Sequence, residues 1–152
     1  MNGWEALAHP LLRVAIAFAL GFPIGWVREH HHEYGPGLRT YPLLAMGACG
    51  FLVVGQIAFS EDANAQARVV QGLVSGIGFL GAGAIIKGRA EVHGHAAAVS
   101  LWVTVAVGAA AAYGLFLLAA ILSGTTLVAL RLLQPLKAPP DDAEGGSSTG
   151  LG

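Results

Sequence analysis

Charge is scarce in this sequence: 11% of its 152 residues are Asp, Glu, Lys or Arg, and they sum to a net −1. So thin a balance leaves no footprint for nucleic acid and no trap for acidic ligands. Cysteine is limited to Cys49, inside an apolar run, which excludes a disulfide framework and leaves the redox compartment open. No Asp or Glu falls in the middle of a long apolar run, which argues against a proton-coupled pump, where intramembrane carboxylates relay protons. No nucleophile-and-base pair, nucleotide loop or cysteine cluster occurs, so neither enzymatic chemistry nor a cofactor is expected. The opening stretch, MNGWEALAHP, lacks a basic n-region and carries Glu5 ahead of the apolar residues. A cleaved signal is not expected there.

What the chain has instead is apolar length. Hydrophobic residues make up 55% of it and the mean hydropathy is +0.63, a composition that suits a polytopic membrane protein. Five apolar segments of roughly 18–20 residues each, enough for about 27–30 Å of helix, can be cut from it. They run at about 10–27, 41–59, 69–87, 96–113 and 114–133, with Gly114 supplying the reversal between the last two as a helix C-cap. The expected fold is all-α, a polytopic membrane bundle of five transmembrane helices over residues 1–137. Residues 138–152, rich in Pro, Gly, Ser and acid, are expected to form a disordered tail.

The third segment, QGLVSGIGFLGAGAIIK at 71–87, is where glycine concentrates. On a helical wheel Gly72, Gly76 and Gly83 share one side and Gly78 and Gly81 lie nearly opposite. Small residues are what lets helices approach closely in lipid, so this helix is expected at the centre of the bundle, packed on both faces. Of the eight Lys and Arg residues, Arg28, Arg39, Lys87, Arg89, Arg131 and Lys137 fall on one side of such a bundle and only Arg13 and Arg68 on the other. The positive-inside rule then predicts the N-terminus outside and the C-terminus inside, with Arg13 reaching to the outer headgroups. The polar residues within the segments, Gln56, Gln71, Ser75, Ser100, Thr104, Ser123, Thr125 and Thr126, need no functional role, because Ser and Thr commonly bond their own helix backbone.

The first loop, REHHHEYGPGLRT at 28–40, gathers charge at a membrane edge. Pro36-Gly37 is a turn dipeptide with Gly37 suited to positive φ. Thr40 is a candidate N-cap, with Pro42 close to the first turn. Glu29 is expected to pair with Arg39 or Arg28. The tract His30, His31, His32 is a weak metal signal, because consecutive side chains diverge. His93 and His95 are its only companions, and such a set would favour zinc or nickel over magnesium.

With RE at 28–29, PGLRT at 36–40, Arg68, VSGIGFLGAGAII at 74–86, VHG at 92–94 and SLWVTVAVG at 100–108, the chain resembles the transmembrane domain of the MgtC/SapB family of bacterial inner-membrane proteins. The resemblance covers about 13–108. Its matching positions are Arg28, Glu29, Gly37, Leu38, Arg39, Thr40, Arg68, Ser75, Gly76, Gly78, Phe79, Leu80, Gly81, Gly83, Gly94, Ser100 and Trp102. It implies a role in adaptation to magnesium limitation and, in some pathogens, in survival inside host cells. It also implies a regulator that acts on a partner membrane protein such as an ATP synthase or a P-type pump. Where the family has Leu-Thr-Thr-Ala after the turn, this chain has His95-Ala96-Ala97-Ala98, without the two hydroxyls. The acid that the family places shortly before Arg68 is Ala65 here, with Asp62 the nearest substitute. The further cytosolic domain of many members is expected to be absent.

Three roles follow: a membrane-embedded regulator docking through Arg28, Glu29, Gly37, Leu38, Arg39, Thr40 and Arg68; a small ion or solute transporter or channel subunit; or a structural bundle subunit. Helix packing is assigned to Gly72, Ser75, Gly76, Gly78, Gly81, Gly83, Ser100 and Trp102. The expected partners are the bilayer, a membrane protein and possible copies of the chain itself, with no nucleic acid. A dry core beside Ser75 and Gly78 favours the regulator and a wet one the transporter.

Overall fold

The computed structural model describes the backbone of residues 3–31, 37–87, 92–93 and 95–132 and the side chains of 8–29, 37–85 and 95–132. The elements are α1 (Gly3–His31), α2 (Thr40–Ala58), α3 (Ala63–Gly83), β1 (Ile86–Lys87), β2 (Val92–His93), α4 (His95–Ala112) and α5 (Phe116–Leu132). The fold is an all-α bundle of five helices, and the two short strands form an antiparallel pair joining α3 to α4. The tail at 138–152 lies outside the described residues.

Helix ends follow local chemistry. Asp62 caps α3, its Oδ1 accepting the Ala65 N–H at 2.9 Å, so the helix begins at Ala63 rather than near Val69. At the end of α4, Gly114 takes φ +74°. The Leu115 N–H reaches the Ala110 carbonyl at 2.8 Å and the Gly114 N–H that of Ala111 at 3.0 Å. This paired closure is the Schellman form of the expected glycine cap. Thr40 is not the cap of α2. Arg39 occupies that position with helical φ and ψ and no side-chain bond to the helix.

Among the described residues three helices are long and apolar enough to cross a membrane: Ala8–Glu29 within α1, α2 and α4. Helix α5 is apolar but has 17 residues, and the first turns of α3 carry Asn64, Gln66, Arg68 and Gln71. Large apolar side chains cover the outside, among them Phe51, Phe79 and Leu117 at 69, 82 and 76% exposure. In water a surface of this kind would aggregate; in hydrocarbon it is the solvated one.

The centre of the bundle is α4, not α3. Helix α4 packs against every other helix, and α3 touches only α2 and α4 substantially. Ser100, Thr104, Gly108 and Ala112, spaced by four on α4, are all buried. They meet the buried face of α2 around Tyr41, Ala45, Ala48 and Cys49. A methyl group at Gly108 would run into the Ala45 carbonyl and sit 3.0 Å from the Ala48 Cβ. At the α1–α2 crossing a methyl at Gly21 would lie 2.9 Å from both Pro42 Cα and the Tyr41 carbonyl. These glycines permit the close approach that was expected of the third helix. Among the described residues nothing lies within 4 Å of such a methyl at Gly72, Gly76, Gly78 or Gly83, whereas Gly81 meets a neighbour, with Ala98 Cβ at 3.9 Å and Trp102 Cδ1 at 4.0 Å. The wheel pattern marks where a backbone can be approached, and in this chain most of that surface stays open.

Gly108→Ala should therefore cost about 1–3 kcal/mol through overpacking. Gly78→Ala should be neutral or stabilising by up to about 1 kcal/mol, because alanine favours the helix. Thermal unfolding of the two variants in mild detergent checks the contrast; equal losses would put α3 back in the core.

Candidate functional site

The expected site residues divide between the two ends of the bundle and one of its sides. At one end α1 finishes and α2 begins. Arg28 points inward there and is 5% exposed, whereas Glu29, the next residue, is exposed. Adjacent residues on a helix diverge by about 100°, which is why this pair does not share a face. The Glu29 Oε2 accepts the Leu38 N–H at 2.9 Å. Gly37 lies directly against that carboxylate, where a methyl would collide with it. The Thr40 N–H closes the turn onto the Gly37 carbonyl at 3.0 Å. On the other side of this turn, a methyl at Gly25 would stand 3.0 Å from the Leu38 carbonyl.

The expected Glu29–Arg pair is thus corrected. No ion pair joins Glu29 to Arg28 or Arg39 among the described residues; the carboxylate serves the backbone instead. Gly37 is also needed for close approach rather than for positive φ, which among the described glycines only Gly114 adopts. Arg39 and Thr40 are exposed. The side chains of His30, His31, His32, His93, Lys87, Arg89 and Glu91, and Gly94, lie outside the described residues. Among those described, no three His, Cys, Asp or Glu gather to hold a metal.

At the opposite end a charged residue is built into the bundle. The Arg13 Nη1 donates to the Gln56 Oε1 at 3.1 Å and to the Ala112 carbonyl at 2.8 Å, and the Gln56 Nε2 donates to the same carbonyl at 3.3 Å. Ala112 is the last residue of α4, so Arg13 sits on the negative end of that helix's dipole. It therefore binds protein rather than reaching outward to headgroups, and ties α1, α2 and α4 together. Arg68 is exposed on α3, toward this end and apart from Arg28 and Arg39.

Inside the bundle, Tyr41 Oη and Ser100 Oγ are 2.8 Å apart and buried. The Ser100 hydroxyl donates to the Ala97 carbonyl at 2.8 Å, which makes Tyr41 the donor to Ser100. The Ser123 Oγ donates to the Leu20 carbonyl at 2.7 Å, beside the turn in which Pro23 leaves the Ala19 carbonyl without its helical donor. Ser100 and Ser123 thus bond between helices, beyond the self-bonding expected of them, whereas Thr104, Thr125 and Thr126 bond back to their own helix. Trp102 is 46% exposed, at the edge of the Gly81 contact.

On the side of the bundle, α2 and α3 diverge to leave an apolar groove of about 460 Å³. Gly47, Leu43 and Phe51 line one wall and Gly72, Gly76 and Leu80 the other, with Val105 of α4 also lining it. None of its lining residues has a polar side chain. Ser75 and Gly78 are exposed and lie outside it.

The MgtC family matches residues 14–138 of this chain. The chain belongs to the MgtC family. It is 40% identical over 133 residues to Protein MgtC of Brucella abortus (strain 2308), covering 88% of this chain and 55% of that protein. Similarity to Protein SrpB of Synechococcus elongatus is 37% over 140 residues, 84% of this chain and 74% of SrpB. A third relative, the putative magnesium transporter YhiD of Escherichia coli (strain K12), is 30% identical over 135 residues, 85% of this chain and 62% of YhiD. The chain spans about half the length of the Brucella relative. No solved structure matches it significantly. Family membership and the three apolar helices make it a membrane protein.

Two of these contacts are tested by substitution. Gly37→Ala should lose about 1–3 kcal/mol by displacing a bonded carboxylate, and most of that loss should vanish in a Glu29→Ala background, because the colliding group is gone. Denaturation of the four members of this cycle measures the coupling, and additive losses would refute the contact. Arg13→Met should cost about 1.5–3 kcal/mol, the range for bonds to a charged group, against no measurable change for Arg68→Met.

Proposed function

We propose that this chain is a non-enzymatic regulator in the bacterial inner membrane, which it crosses five times with its N-terminus outside. In this reading it serves adaptation to magnesium limitation by docking one helix of a partner membrane protein, an ATP synthase or a P-type pump. The observation that carries the proposal is the α2–α3 groove, whose α3 wall includes the bare backbone of Gly72 and Gly76. In lipid, helix association depends on packing and on small residues that let backbones meet. A helix laid against this wall gains that contact without displacing any part of the bundle.

Consecutive helices alternate in direction, as the contacts Gly21–Pro42, Gly55–Val69 and Gly81–Ala98 require. That alternation collects Arg28, Arg39, Lys87 and Arg131 at one end and leaves Arg13 and Arg68 at the other, a distribution that supports the stated orientation. The resemblance to a protein named as a putative magnesium transporter supports transport as the second reading. A cation path through the bundle needs oxygen ligands or water along its walls. The groove offers neither from side chains, which favours docking.

Gly76→Leu fills the groove from its wall. It should leave the unfolding midpoint of the purified protein unchanged while abolishing both growth rescue at low magnesium and co-purification of a partner from native membranes. If rescue persists with the groove filled, the docking surface is wrong. Magnesium uptake by proteoliposomes holding this chain alone would turn the assignment to transport.

A further inference from the structure

We propose that Arg28 anchors a binding site for a phosphate-type oxyanion at the end of the bundle where α1 finishes and α4 begins. Arg28 is 5% exposed, and its Nε is buried without an acceptor among the described residues. Among the described residues no ion pair compensates its charge, because the adjacent carboxylate of Glu29 is held by the Leu38 N–H. A guanidinium is a fixed positive charge, and burying one unpaired is among the least favourable arrangements a fold can retain. Arg13, at the other end, shows how this chain treats an arginine it uses structurally: it is bonded to a side chain and a helix terminus. Arg28 has no such partner among the described residues.

Its place in the fold indicates the chemistry of what would complete it. Arg28 lies one helical turn beyond Ile24, on the same face of α1. Ile24 packs in one cluster with Tyr41, Ala84 and Ala97, so that face is turned toward the first turn of α4. The N–H groups of a first turn have no partner within their helix, and they carry the positive end of its dipole. The residues of that turn, His95-Ala96-Ala97-Ala98, bring no hydroxyl or carboxylate to meet them. A guanidinium edge, with Nε–H and a terminal N–H in one plane, suits two oxygens of a tetrahedral oxyanion, and a helix N-terminus favours the same charge. Two sources present that group: the phosphodiester of an anionic lipid at the membrane edge and soluble inorganic phosphate. The lipid source rests on the membrane placement proposed above, but neither source requires a docked partner.

The test uses the full chain in neutral detergent, reading the thermal midpoint in two arms. One replaces sodium chloride with sodium phosphate at constant ionic strength. The other replaces part of the phosphate-free neutral detergent with short-chain phosphatidylglycerol in mixed micelles. Binding to the folded state predicts a rise of at least about 2 °C in one arm or both; the phosphate arm alone identifies the soluble ion, and the lipid arm alone the headgroup. Arg28→Gln should remove the rise, Arg28→Lys should reduce it by losing the planar fork, and Arg39→Gln, exposed at the same end, should keep it. No rise for the wild-type chain in either arm overturns the site, whether or not the Arg28 variants fold. An equal rise in Arg28→Gln overturns it too, by showing the ion to act elsewhere. Neither failure touches the groove, because Gly76→Leu is read on a different surface.

Discussion

The bundle depends on how closely α2 and α4 approach at Gly108. Hydrocarbon gives apolar helices no reason to leave it, so a membrane bundle must be held by contact and by interhelical bonds. At Gly108 the missing side chain lets the Ala45 backbone sit against α4. The rest of the seam keeps that spacing with Thr104, Ala48 and Cys49, all buried and small. Its two ends are clamped, by Tyr41 on Ser100 and by Arg13 with Gln56 on the Ala112 carbonyl. Helix α1 lies on α2 through Gly21 and on the turn before it through Gly25, α5 joins through Ser123, and α3 lies along one edge.

That arrangement explains where the exposed glycine surface comes from. Helix α3 carries more glycine than the packing within one chain uses. Of its glycines, Gly81 touches α4 while Gly72 and Gly76 form the wall of a groove. The two ends of the bundle differ in the same way. Arg13 is satisfied by protein, whereas Arg28 is buried with its Nε lacking a partner among the described residues. An apolar wall and a buried charge are thus left open among the described residues.

Much of this architecture was legible in the residues. The five apolar segments and the Gly114 reversal follow from length, hydropathy and local backbone preference. The centre of the bundle was not, because glycine density measures how closely a helix can be approached and not whether it is. A better signal was available in register: Gly21 and Gly25 are spaced by four, as are Ser100, Thr104, Gly108 and Ala112. Arg28 and Glu29 fall at the end of α1 rather than in a loop, and Glu29 was wrongly paired, since the bond it makes is to a backbone N–H, which composition does not reveal. Arg13 read as a headgroup anchor because its partners, 43 and 99 residues away, are brought to it only by the fold.

The central claim is that α4 fills the middle of the bundle and α3 keeps its glycine wall open. Spin labels placed singly at Gly72, Gly76, Gly78 and Ile77, with Cys49 replaced and one chain per lipid nanodisc, measure it through their accessibility to dissolved oxygen. The account predicts high accessibility at the three glycine positions and low accessibility at Ile77, which is 3% exposed. Shielding at Gly72, Gly76 and Gly78 comparable to that at Ile77 would place α3 in the interior and contradict it.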